Sequence, residues 1–156
     1  MPEVTCDGPY KGKRLSPKEL VAVLTLHEKW VKEEPDGRPA NLCEANLERV
    51  DLERVYLGGA DLRKATLSFA TLQEASLMGA DLRQANLWEA DLRQANLTLA
   101  KLHGADLVGT HLEGAIFTYV NLTAARSNRA RRHTRAFWGV SMGFPRCGST
   151  RDSKVV

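Results

Sequence analysis

Nineteen carboxylates, four histidines and three cysteines are the side chains of this 156-residue chain whose types could carry chemistry. Acid–base catalysis needs two titrating groups held together in unlike environments. The carboxylates of residues 40–124 are not placed that way. Asp61 and Asp81 recur at the same interval as Arg63 and Arg83, a pattern of charge balancing along a surface. His103 and His111 have no Cys or carboxylate cluster at metal-ligand spacing. No glycine-rich phosphate loop, HExxH motif or nucleophile elbow occurs. These residues point away from an enzyme, and no cofactor, metal or small-molecule substrate is expected. Cys6, Cys43 and Cys147 are odd in number and far apart. They fit free thiols in a reducing cytoplasm better than a disulfide framework or a zinc site. One cluster remains. Arg126, Arg129, Arg131, Arg132 and Arg135, close to Phe137 and Trp138, make a basic patch that could hold nucleic acid or anionic lipid.

The elements that would position these residues follow from one regularity. Every fifth residue from Leu42 to Leu122 is apolar, Leu throughout except Phe117. Two residues before each stands a small side chain, mostly Ala, with Val50, Val55, Thr110 and Val120 as variants. A period of five suits neither regular element. On an α-helix five residues turn through about 500°, so successive leucines form no stripe. On one strand they alternate between faces. A chain that turns a corner every five residues sends every Leu to one axis. With four corners it returns above itself after twenty residues and hydrogen-bonds to the circuit below at about 4.8 Å.

The remaining positions agree. The residue before each Leu is usually Asn, Asp, Ser or Thr, as at Asn46, Asp61, Thr71 and Asn96, short polar side chains that bond nearby backbone and build turns. The position before that stays small because a narrow interior cannot hold two large side chains per corner. The two residues after each Leu are mixed and polar, as an outward surface should be.

The runs Ala-Asn-Leu-Cys-Glu and Ala-Asn-Leu-Glu-Arg (40–49), then Ala-Asp-Leu-Arg-Gln and Ala-Asn-Leu-Trp-Glu (80–89), resemble the pentapeptide-repeat family. The resemblance covers residues 40–124. It implies an all-β solenoid, a right-handed quadrilateral parallel β-helix, here of about four coils. For most of that family the biochemical role is unknown. One branch implies a DNA mimic that binds type II topoisomerases and protects against quinolones.

Three segments are expected: 1–39, 40–124 and 125–156. Ser16-Pro17-Lys18-Glu19 is a capping box with Pro at the first helical position, and Leu20, Val23, Leu24, His27, Trp30 and Val31 form an apolar stripe. A helix over about 17–34 is predicted, stopped by Pro35 and Gly37. It should close the N-terminal end of the stack, with Trp30 covering the first coil and His27 packed rather than ligating. No signal peptide or membrane span is read, and the chain is placed in the cytoplasm. Net charge is zero over 1–39 and −4 over 40–124, where seven basic side chains meet eleven acidic ones. It is +7 over 125–156, with eight basic and one acidic. That tail reads as a short cap and flexible extension, as an arm for an acidic partner, or as an arm that docks on its own rod or another copy.

The four sides of such a rod are unequal. Pentads centred on 42, 62, 82, 102 and 122 share the first, and those on 47, 67, 87 and 107 the second. The third takes 52, 72, 92 and 112, the fourth 57, 77, 97 and 117. The third carries Asp51, Glu53, Arg54, Glu74, Asp91, Arg93 and Glu113, whereas the fourth carries no charge. Its Tyr56, Met78, Leu99, Ile116 and Tyr119 form a candidate protein-contact face. Phe69, Trp88 and Val108 on the second side form another. The expected function is a non-catalytic scaffold or protein-interaction module, its partner another protein or a second copy. The alternative is a nucleic-acid role, by topoisomerase-directed mimicry or through the basic tail, for which the short, mildly acidic rod is a poor match.

Overall fold

The computed structural model describes residues 6–127. Its body is a stack of square circuits. Parallel bridges join each residue before a Leu to the one twenty positions on: Asn41↔Asp61↔Asp81↔Lys101↔Asn121 on one side, Tyr56↔Ser76↔Asn96↔Ile116 on another. Backbone hydrogen bonds run the same way. Leu62 N–H donates to the Asp81 carbonyl at 2.8 Å, and Asp81 N–H donates back to Ala40's successor on that side, the Ala60 carbonyl, at 2.9 Å. The leucines at every fifth position from Leu42 to Leu102 are fully buried, with the alanines two residues before them. Thr110 stands inward where most pentads have Ala, and its hydroxyl is satisfied by the Leu87 carbonyl at 2.8 Å.

Each corner is made by a residue in the left-handed region. The second residue after the central Leu or Phe117 has φ between 54° and 74° in every pentad, from Glu44 through Arg54, Gln84 and Leu99 to Ala124. The same position holds Gly59, Gly79, Gly104, Gly109 and Gly114, the residue type that takes that conformation without cost. The short side chain before each Leu fastens the corner, as where Asn86 Oδ1 accepts from Trp88 N–H at 3.0 Å.

One helix precedes the stack, α1 (Pro17–Val31). Its capping box is complete: Ser16 Oγ accepts from Glu19 N–H, and the Glu19 carboxylate accepts from Ser16 N–H at 2.9 Å. The helix ends short of the predicted 34 because Lys32 caps it and Glu33 turns left-handed at φ 56°. Val23 and His27 are its buried residues. His27 packs against the start of the first circuit, where its Nδ1 accepts from Ala40 N–H at 3.0 Å. Nε2 is buried against the Gly58 backbone without closing a hydrogen bond. Burial holds this imidazole below its ordinary range, the Gly58 backbone opposing weakly. Trp30 stays 41% exposed at the rim, because its ring stacks on His27 and runs out over Gly59, where a Cβ would touch it at 3.4 Å.

The expectation of free thiols is overturned for two of the three cysteines. Cys6 and Cys43 form a disulfide across a separation of 37 residues. Sequence spacing hid this because residues 10–14 double back along the first circuit. Gly12 N–H donates to the Glu44 carbonyl at 2.8 Å, Asn46 N–H to the Lys13 carbonyl at 2.9 Å, and Arg14 bridges Asn46. That path brings the two Cα atoms to 5.7 Å. Cys147 lies outside the described residues.

Candidate uncharged contact face

On the fourth side the bridges Tyr56↔Ser76↔Asn96↔Ile116 stack four rows of outward residues. Beside that column, at the corner, stand Gly58 and Gly59, then Met78 and Gly79, then Thr98 and Leu99, then Thr118 and Tyr119. Tyr56, Met78, Leu99, Ile116 and Tyr119 are between 41% and 74% exposed, so these large side chains face water rather than the core. Leu99 and Tyr119 also take the left-handed corner conformation, at φ 62° and 56°, where most pentads use Gly or a charged or amide residue. Trp30 extends the strip at its N-terminal end, and the Tyr56 ring folds over Gly58, where a Cβ would clash at 2.6 Å.

The flanks are charged but neutralised in place. Arg63 forks onto Asp61, two residues before it, at 2.8 and 2.6 Å. Arg83 and Arg93 do the same to Asp81 and Asp91. Arg54 forks onto Glu74 one circuit on, at 3.0 and 3.1 Å. The guanidinium of Arg93 holds the Asp91 carboxyl at about 2. The Asp-Leu-Arg spacing thus makes a closed ion pair on one corner, not a titrating dyad.

The second candidate patch also assembles. Phe69 and Trp88 meet edge to face at 4.8 Å between centroids, and the Arg49 guanidinium lies 4.8 Å over the Phe69 ring. Val108 follows one circuit beyond, half-buried. Arg126 reaches back to Asp106 at 3.1 Å. Arg129, Arg131, Arg132 and Arg135 lie outside the described residues. His103 and His111 stand on different sides of the rod, and no group of three His, Cys, Asp or Glu fit to hold a metal occurs among the described residues. No described helix is long and apolar enough to cross a membrane.

The left-handed corners were missed by sequence reasoning, whereas His27 is packed and hydrogen-bonded as expected. Five glycines at one pentad position were the available signal for the corners.

Comparison with known proteins agrees with this geometry. The sequence profile for pentapeptide repeats matches in 8 copies, at residues 40–77, 60–98, 75–114 and 95–126. Among curated proteins none matches. A solved pentapeptide repeat protein from the cyanobacterium Cyanothece 51142 is similar at 33% identity, over 60% of this chain and 63% of that one, with TM-score 0.58. This chain therefore spans less than two thirds of that protein's length. Another from Nostoc Pcc 7120 matches at 30% identity over 67% of this chain and 93% of that one, TM-score 0.49. A third, from the thylakoid lumen of Arabidopsis thaliana, matches at 36% identity over 54% and 62%, TM-score 0.38.

Proposed function

The chain belongs to the pentapeptide-repeat family, whose fold is a right-handed quadrilateral β-helix, and from that premise we propose that it is a non-catalytic module holding a protein partner. In this reading the rod has about four coils, is closed at its N-terminal end by α1, and engages its partner on the fourth face. The observation that carries it is the contrast between sides. The arginines of the first and third sides are paired, Arg63, Arg83 and Arg93 within their own corners and Arg54 with Glu74 one circuit on, while the fourth exposes Tyr56, Met78, Leu99, Ile116 and Tyr119 in stacked rows. An exposed contiguous apolar strip rimmed by polar residues marks a contact surface. The paired arginines also count against a nucleic-acid role for the rod, since both phosphate binding and mimicry of phosphates need a run of unpaired charge of one sign.

A photo-reactive residue at Leu99 tests this, with the same residue at Glu53 on the third side as the control. The expected result is a cross-linked protein at Leu99 only, lost when Met78→Glu is added. Equal capture at both positions would refute the assignment. The cytoplasm is the proposed compartment, and the state of Cys6 and Cys43 in cells tests it. In the cytoplasm the Cys6–Cys43 bond would be transient, and a pair found permanently bonded in cells would place the chain in an oxidising compartment instead.

A further inference from the structure

The uncharged face limits what can lie on it. A bound segment that covers apolar side chains loses water from its own backbone and must satisfy those groups some other way. It cannot do so by joining the sheet. On this side the N–H groups of Leu57, Gly59, Leu77, Gly79, Leu97 and Leu99 already donate to Ser76, Met78, Asn96, Thr98, Ile116 and Thr118, at 2.8–2.9 Å. Ladder bonds run parallel to the rod axis, so a strand edge opens only at the ends of the stack and not along a side. The occupant must bring its backbone already paired.

Spacing points the same way. The rows of Tyr56, Met78, Leu99 and Tyr119 repeat once per circuit, at about 4.8 Å. Across the three steps they span about 14 Å. Apolar residues at i, i+4, i+7 and i+11 of an α-helix repeat once per 5.4 Å turn and span about 16 Å. Four rows therefore meet four helical side chains with a mismatch of about 2 Å, within the reach of Met and Leu side chains. Size argues against a second copy. The strip is about 14 Å long and one side of the rod wide, and its five large apolar side chains fall far short of the roughly 20–30 residues a side that a stable interface between two folded chains uses. A single helix needs no more width than this.

We infer that the fourth face is a docking track for one amphipathic α-helix of a partner protein, about three turns long, laid along the rod axis with Trp30 abutting one end. This rests on the reading of that face as a contact site. The flanking ion pairs, Asp61–Arg63, Asp81–Arg83 and Glu74–Arg54, are closed on themselves, so the helix is recognised by its apolar stripe and not by charge.

The test uses the full chain and a synthetic amidated peptide of about twelve residues, with Leu at i, i+4, i+7 and i+11 and Ala and Gln elsewhere. A second peptide of the same length, with the same leucines, carries Pro in place of a central Ala. Backbone amide shifts on titration are expected at 56–59, 76–79, 96–99 and 116–119, with a gain in helical circular dichroism. Affinity should barely change with salt. Leu99→Lys should weaken it by at least about tenfold, and Met78→Glu likewise, both variants keeping the parent's urea midpoint. Equal binding by the Pro peptide, or shifts centred on Phe69 and Trp88, would overturn the helix track. So would a dimer of the parent chain in sedimentation that Leu99→Lys dissolves, since a second copy would then be the occupant. The two readings fail separately. A native partner that cross-links at Leu99 through a segment that gains no helix removes the track and leaves the contact face. Absence of cross-linking at Leu99 removes both.

Discussion

Replacing Leu82 by Ala probes the packing on which every outward face depends. Leu82 is fully buried in register between Leu62 and Leu102, with Ala80 and Ala85 beside it. The substitution removes three carbons, worth about 2.4 kcal/mol at about 0.8 kcal/mol per buried methylene. A cavity term adds to this where the walls cannot close in. Here they are pinned: Leu82 N–H holds the Lys101 carbonyl at 2.8 Å, and Leu62 N–H holds the Asp81 carbonyl at 2.8 Å. The circuits above and below cannot drop into the gap without breaking those bonds. The expected loss is therefore about 4 kcal/mol, in the upper part of the range for buried Leu→Ala changes. Gln84→Ala, two residues on and exposed, should stay within about 0.5 kcal/mol. Urea unfolding followed by circular dichroism measures both, with coincident fluorescence transitions as the check on two-state behaviour. Equal midpoint shifts for the two variants would refute the inward assignment of the leucines.

Other outcomes follow from the corners and the N-terminal end. Gly79 has φ 69° and open space where a Cβ would stand, so Gly79→Ala tests backbone strain alone. It should cost about 1–2 kcal/mol, and Gln84→Gly, at φ 59°, should gain up to a similar amount, less the chain entropy that Gly adds to the unfolded state, by the same urea assay. His27 is neutral when buried and its folded pKa is depressed, so the unfolded chain binds more protons below the ordinary value of 6.5. Stability should be constant above that pH and decline as pH falls through 6.5 toward the depressed value. His27→Asn, which keeps an acceptor for Ala40 N–H, should flatten this slope in thermal melts; an unchanged slope would exclude His27 as its source. Cys6→Ser opens a closure of 37 residues, for which the chain-entropy account sets a ceiling of about 4 kcal/mol. Amide exchange at Gly12 and Asn46 should accelerate together, and protection unchanged at both would show that the disulfide does not hold this segment.

The architecture was legible because a five-residue period admits only one geometry that buries Leu42 through Leu102 together. The capping box of α1 was legible because Ser16 and Glu19 satisfy each other locally. What escaped depends on how separate segments meet. Nothing in the spacing of Cys6 and Cys43 shows that residues 10–14 return along the first circuit. Nor does the apolar stripe of α1 show the loop in which Gly37 approaches the backbone of Trp30 so closely that a Cβ would sit 2.3 Å from its nitrogen. The exposed strip was legible as an absence of charge at known positions. Its partner was not, since an apolar surface specifies shape and carries no record of the chain that fits it.

The bridge from each residue to the one twenty positions on has a consequence for how such a chain can change length. Gain or loss of a whole circuit leaves every later side chain on its own side and only lengthens or shortens the track. A single pentad added or removed between Tyr56 and Ser76 also keeps the core intact, because Ala and Leu still alternate inward. Yet it rotates everything downstream by a quarter turn. Met78, Leu99 and Tyr119 would then continue one of the two charged sides, the first or the third, instead of the row begun by Tyr56. The fold is nearly indifferent to slips of five residues, and the surface is not. Selection on where the sides point, not on stability, would keep the count of pentads between Tyr56 and Tyr119 fixed.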